Sequence, residues 1–374
     1  MSCIYIHIPF CKSRCIYCDF FSTTQLSLRH QYVDALCKEV TLTDQYLGGD
    51  TIHSIYFGGG TPSQLSVEQI HHILDTIAQH HPIAPDCETT IELNPDDVTP
   101  AYVEGLRHLH INRISLGIQT FHDATLQFIR RRHSAQEAID AVRLLQSSGY
   151  DNISIDLMFG FPEETLDDWQ NDINQALQLN VQHLSAYSLM YEAGTRLYEM
   201  LTSHHIQEID EDCSRDMYRL LMKQIKDAGF EHYEISNFAK PNYYSRHNSS
   251  YWNNTHYLGL GAGAHSYNGS CRQSNICNLK QYIDGITRQQ PVVEVETLTK
   301  DQQYNEMVMT RLRTSKGLQL DEIKTLFGPT YYDHLIKAAT PYYNIGLLKN
   351  TDGNLILTPK GIYVSNDIIA SLFV

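Results

Sequence analysis

No stretch of this 374-residue chain stays apolar over the run of about 20 residues that a membrane-crossing helix needs. A helical membrane-spanning protein is therefore not expected. Basic residues are also scarce: 28 Lys and Arg stand against 43 Asp and Glu, a formal net charge of −15. Contacts along a phosphate backbone depend on Lys and Arg, so nucleic acid is not an expected partner beyond a local basic patch. The first residues, Met1 to His7, lack the basic segment and the cleavage site of a secretory leader. They alternate like a first strand, and the chain is expected to be cytoplasmic. In that compartment its nine cysteines, an odd number, read as metal ligands, catalytic thiols or small buried residues rather than as disulfides.

What the sequence does have is alternation. As far as Ser188, short aliphatic runs alternate with segments of helical spacing. Strands are expected at 3–8, 54–57, 89–93, 113–117, 152–158 and 183–188, with helices at 32–46, 67–80 and 135–148 among others. Such alternation predicts βαβ units on a parallel sheet. Six units make a partial barrel, and chemistry on barrels collects at the C-terminal ends of the strands. The polar residues obey that rule. The cysteines follow strand one, Gly58-Gly59-Gly60-Thr61 follows strand two, Glu92 and Asn94 close strand three, Gln119 follows strand four, and Asp156 lies in strand five. The expected fold is α/β, a partial (β/α)6 TIM-like barrel over residues 1–235. Residues 236–297 lose the alternation and read as a connecting segment. Residues 298–374 read as helices followed by a hairpin, a small winged-helix-like domain. Gly259-Leu260-Gly261-Ala262-Gly263-Ala264 lacks the preceding strand and the later acidic residue of a dinucleotide loop. It reads as backbone that approaches a ligand or the barrel mouth closely.

Cys11, Cys15 and Cys18 stand at C-x3-C-x2-C spacing in one short loop directly after strand one. Ordinary 4Fe–4S clusters take four thiolates, and three leave one iron open. Zinc or a redox thiol cluster is the competing reading. Zinc usually takes four ligands, and His7 is the only fourth candidate nearby; it is expected to point along the strand.

These features together resemble the radical S-adenosylmethionine (SAM) superfamily. The residues that carry the resemblance are Tyr5-Ile6-His7-Ile8-Pro9-Phe10-Cys11, the cysteine spacing, Tyr17 before the last cysteine, and Gly58-Gly59-Gly60-Thr61-Pro62. More narrowly, nearly the whole chain resembles the branch that holds oxygen-independent coproporphyrinogen III oxidases and heme chaperones. The resemblance implies a radical SAM barrel with a 4Fe–4S cluster on Cys11, Cys15 and Cys18. In that family the open iron would chelate SAM, and an electron supplied by the cluster would break the S–C5′ bond to give a deoxyadenosyl radical. It further implies that Gly58, Gly59, Gly60 and Thr61 meet the SAM amino group. Tyr5 would lie near the sulfonium, although a half-buried strand tyrosine is the plainer reading. Glu92, Gln119, Arg131 and Asp156 match further SAM contacts. An arginine suits the methionine carboxylate, but Arg130, Arg131 and Arg132 run together and the choice among them is open.

Three features separate the two members of that branch. The oxidases resemble C-x3-C-x2-C-x-C, and Phe20 stands where their fourth cysteine would be. The cluster loop begins too early for the N-terminal extension the oxidases carry. His247-Asn248-Ser249-Ser250-Tyr251-Trp252 matches the H-N-x-x-Y-W motif of the chaperones. A neutral imidazole is a good axial ligand for heme iron. Tyr251 and Trp252 offer flat apolar surface, and Arg246 could meet a propionate. The alternative for this motif is a polar loop whose aromatics pack on the barrel. The expected partners are thus SAM, heme or a porphyrinogen, and a client protein that accepts heme. Oxidation of coproporphyrinogen III to protoporphyrinogen IX is the rival function.

Overall fold

The first strand shows how the barrel is built. In β1 (Ser2–Ile8), Ile4, Ile6 and Ile8 face outward and are fully buried under helices. Cys3, Tyr5 and His7 face the lumen, because successive strand residues point to opposite sides. Burying each isoleucine contributes about 1.5–3 kcal/mol. The computed structural model describes residues 2–374.

Five more parallel strands follow: β2 (Ile52–Gly59), β3 (Ile83–Leu93), β4 (Arg113–Gln119), β5 (Ile153–Phe159) and β6 (His183–Ser188). Helices α1 (Arg29–Leu42), α2 (Val67–His80), α3 (Pro100–Arg107), α4 (Asp123–Phe128), α5 (Ala135–Ser147) and α6 (Leu166–Gln178) lie between them. Three of these start at reciprocal caps: Ser66 with Gln69, Ser134 with Glu137, and Thr165 with Asp168. Such caps satisfy amides that have no partner inside the helix. After β6 come α7 (Arg196–Thr202) and α8 (Glu211–Asp227), then β7 (Glu231–Glu234) and β8 (Asn237–Ala239); β8 pairs antiparallel to β6, and β7 antiparallel to β8. The architecture is the partial (β/α)6 barrel read from the alternation.

Residues 236–297 are more regular than a connecting segment. They hold β8, α9 (Arg246–Trp252), β9 (His256–Leu260), β10 (His265–Tyr267), β11 (Cys271–Asn275), α10 (Leu279–Thr287) and β12 (Val293–Thr297). β9 pairs parallel to β1, as a seventh barrel strand, and β10 to β12 extend the sheet antiparallel. Strands of three to five residues carry too little period to be seen in sequence; their stabilisation comes from neighbours. The Gly259–Ala264 stretch does make close approaches, but to protein. A Cβ on Gly259 would lie 2.0 Å from the His265 carbonyl oxygen.

The C-terminal part has its own core of Tyr304, Val308, Leu318, Ile323, Leu335, Leu355 and neighbours. Helices α11 (Lys300–Leu312), α12 (Leu320–Phe327), α13 (Pro329–Asn344), α14 (Pro359–Ile362) and α15 (Ser365–Ser371) surround a three-stranded sheet of β13 (Leu318–Gln319), β14 (Leu348–Thr351) and β15 (Asn354–Leu357). This winged-helix-like unit leans on the barrel. The Ser315 amide donates to the Tyr233 carbonyl, and Arg311 Nη2 donates to the Asn253 carbonyl.

Candidate functional site

A cavity of about 390 Å³ opens at the C-terminal ends of the strands. Cys11, Cys15 and Cys18 all line it, from the loop that leaves β1. Gly59, Gly60 and Thr61 come from the end of β2, Glu92 from β3, Gln119 and Arg131 from β4 and the segment after it, and Asp156 from β5. Ten residues of the sequence-derived set thus meet at one place, because a parallel barrel sends every strand end to one face. This is also a site size ordinary for a small ligand.

The cysteine loop is held from several sides. His7 Nε2 bonds to the Phe21 carbonyl at 2.8 Å and Nδ1 to Tyr5 Oη at 3.2 Å. His7 therefore does not point along the strand. It faces inward, with both nitrogens engaged, and fixes the loop's return. Thr61 Oγ1 donates to Cys11 Sγ at 3.4 Å, and Asn94 Nδ2 donates to Thr61 Oγ1 at 3.3 Å. Lys12 reaches Asp97 at 2.6 Å.

Burial pushes the Cys11 thiol up and the Cys18 thiol up to about 11, so metal loading would release protons. Among the described residues, no three His, Cys, Asp or Glu side chains are gathered tightly around one metal-ion position. A zinc ion draws sulfur to about 2.3 Å. A four-iron cube is larger than a single ion and needs its thiolates farther apart. Cys11, Cys15 and Cys18 line one cavity wall, and three thiolates suit a 4Fe–4S cluster with one iron left open.

The glycine run does its work against the protein itself. Gly59 has φ +107°, and a Cβ there would lie 2.5 Å from the His7 ring. A Cβ on Gly60 would meet the Pro9 backbone at 2.8 Å. The glycines let the end of β2 close onto the cysteine loop, and only then present backbone to the cavity.

The three arginines divide the work among them. Arg131 turns inward: it donates to Asn94 Oδ1 at 2.7 Å, to the Gly117 carbonyl, and to Cys15 Sγ at 3.7 Å. Its Nε is buried and has no hydrogen-bond partner among the described residues. Arg132 pairs with Asp96 at 2.6 Å. Arg130 is exposed, at φ +61°. Gln119 also has a positive φ, +73°. Such backbone in non-glycine residues costs about 1 kcal/mol or more and collects at functional sites.

Two carboxyls face the lumen beneath. Tyr56 Oη donates to Glu92 at 2.8 Å, and burial lifts Glu92 to about 7. Burial raises Asp156 as well, against hydrogen bonds from Ser185 and Ser115. Tyr5 and Gly58 lie off the cavity wall: Tyr5 is stacked on Tyr56 at 6.2 Å, below the glycines. Tyr56 carried no motif signal; its position two residues before Gly58, on the same strand face, was the only hint.

His247, Tyr251 and Trp252 are at the other end of the barrel. Cys3, Ser54 and Glu88 are level in the sheet near the strand starts, and α9 lies across them. Ser245 caps α9, and both oxygens of Glu88 accept from the Arg246 and His247 amides. His247 is 1% exposed. Its Nδ1 bonds to Ser54 Oγ at 2.9 Å and its Nε2 to Tyr251 Oη at 3.0 Å, with Tyr56 stacked 4.9 Å away. Burial, and then Arg113, pushes it down to about 3. It is thus the neutral imidazole that an axial ligand needs, but neither nitrogen is available. Arg246 is spent on Asp86. In this structure the motif packs into the barrel base, with both His247 nitrogens hydrogen-bonded. Sequence gave no sign of a second buried histidine there, His183, bonded to Ser154 and Tyr233.

Comparison with known proteins agrees with this layout. The Radical SAM superfamily profile matches residues 5–176, and the HemN C-terminal domain profile matches residues 298–364. The solved structure of coproporphyrinogen III oxidase (HemN) from Escherichia coli aligns with a TM-score of 0.86 over 100% of this chain and 90% of that one, at 22% identity. That likeness is one of fold. In sequence, heme chaperone HemW of Bacillus subtilis is 34% identical over 99% of both chains. HemW of Lactococcus lactis is 33% identical over 97% of this chain and 95% of its own. A cysteine loop, a glycine-lined mouth and end-to-end identity of this order converge: the chain belongs to the radical SAM superfamily, which uses SAM and a 4Fe–4S cluster, and within it to the HemW family.

Proposed function

We propose that this protein is a heme chaperone that binds heme and delivers it to client proteins. The observation that carries the reading is the end-to-end identity of about a third with relatives named heme chaperone HemW. Phe20 supports it, since the position two residues after Cys18 offers no fourth thiol. The likeness to the oxidase is of fold at 22% identity, and fold alone does not carry activity.

In this reading Cys11, Cys15 and Cys18 hold three corners of the cluster, and the cluster supplies electrons to SAM when bound. Gly59, Gly60 and Thr61 border the methionine amino group. The inward guanidinium of Arg131 meets the carboxylate. Glu92 and Asp156 accept from ribose hydroxyls. Tyr5, behind Tyr56, positions rather than contacts. The heme reading does not rest on His247, whose two hydrogen bonds would have to open first.

The test is anaerobic reconstitution with iron and sulfide, hemin titration, and transfer to an apo-heme acceptor. A heme spectrum followed by transfer is expected. Conversion of coproporphyrinogen III to protoporphyrinogen IX by the loaded protein, with no heme uptake, would establish the oxidase instead.

A further inference from the structure

The SAM cavity opens to solvent past a rim that the cofactor residues do not use. Twelve large apolar side chains among the described residues are exposed, and three of them line this one cavity: Phe20 at 62%, Met190 at 65% and Tyr187 at 41%. Single exposed apolar residues are ordinary, but a group beside a cavity marks a binding surface. The rim is also built, not loose. Ile16, Ile129, Met158 and Leu189 pack beneath it in a small core of their own. The Leu197 amide donates to the Ile16 carbonyl at 2.9 Å, and the Leu189 amide to the Phe159 carbonyl at 2.8 Å.

Two cations stand on the same rim. Arg14 and Arg130 are exposed and line the cavity. Neither makes an ion pair or a side-chain hydrogen bond among the described residues, in a chain with 43 acids. Their loops are tied by the Ile16 amide donating to the Ile129 carbonyl at 3.4 Å. Asp19 and Glu192 also line the cavity. A polyanion would be repelled by them. A ligand with carboxylates along one edge only can meet the arginines and avoid the acids.

We propose that this rim is an outer subsite that seats a flat apolar macrocycle with carboxylates on one edge, a tetrapyrrole. Phe20, Tyr187 and Met190 lie against its face, and Arg14 and Arg130 take its carboxylates. The proposal rests on the heme reading and locates the cargo beside SAM, at the opposite end of the barrel from His247. Phe20 then contributes a ring where the oxidase-type spacing would put a thiol.

The experiment titrates hemin, and hemin dimethyl ester, into the full-length reconstituted protein. Iron and sulfide content is matched across variants. The double variant Phe20→Ala/Met190→Ala is expected to weaken hemin binding about tenfold or more. Arg14→Gln/Arg130→Gln is expected to erase the preference for hemin over its ester. Leu326→Ala/Ile345→Ala, exposed apolar residues on the C-terminal unit, should bind hemin as the parent does. Parent-like hemin affinity in the Phe20/Met190 variant overturns the rim while leaving the chaperone reading intact. Equal loss in the Leu326/Ile345 variant means adsorption to apolar surface and overturns it too. No hemin binding by the parent protein overturns both.

Discussion

The two ends of the barrel are made from the same strands and do opposite things. At the base, polar side chains answer one another. His247 meets Ser54 and Tyr251, Glu88 takes the α9 amides, and Cys3 donates to Ser250 at 3.1 Å. At the mouth, Arg14, Arg130 and an apolar rim face the cavity beside the three cysteines. Buried polar groups cost free energy unless paired. A closed network therefore marks structure, and unspent groups mark a place kept for ligands. In the motif that looked most like a ligand site, the fold has engaged both nitrogens of His247.

The largest effect that sharpens this contrast is on the mouth's cofactor. Cys15→Ser should leave the fold intact and abolish cluster retention, read as iron and sulfide per chain after anaerobic reconstitution. A full cluster in that variant would remove Cys15 from the ligand set.

Next comes the base. His247→Ala leaves a cavity and strands Ser54 and Tyr251, at a cost of about 3 kcal/mol. Urea unfolding of the apoprotein should show that loss. A variant as stable as the parent would mean this packing is not structural.

A smaller effect is a pH dependence at the junction with the C-terminal unit. Burial lifts Glu234 to about 7, against a hydrogen bond from Asn237 and the charge of Arg313. Its folded pKa lies above the unfolded value of about 4.3, so the folded chain holds the extra proton. The stability this brings is full below about pH 4.3, falls as pH rises to 7, and is gone above. Glu234→Gln should therefore be more stable than the parent at pH 8 by on the order of 2 kcal/mol, with the gap closing toward pH 5. Thermal melts across that range check it, and a gap independent of pH would contradict it.

The smallest effect is again at the mouth. Phe20→Ala should change apoprotein stability by less than about 0.5 kcal/mol, because its ring is mostly exposed. A large loss would make Phe20 a packing residue and weaken the contrast between the ends.

Much of this was legible in the chain. Strand–helix alternation specified the barrel, because period two and helical spacing are local properties. The mouth residues could be grouped because a parallel barrel sends every strand end to one face. The short strands β9 to β12 could not be read, since their pairing is between distant segments. Nor could the division among Arg130, Arg131 and Arg132, which depends on how the chain turns after α4.

By itself, the sequence determined the cysteine spacing, the glycines that let β2 close on the cysteine loop, and the strand ends that form the mouth. Only the tertiary structure decided which polar residues remain unspent. That depends on partners far apart in the chain: Ser54 for His247 and Asn94 for Arg131. A side chain's chemistry is local, but whether it is already satisfied is a property of the whole fold.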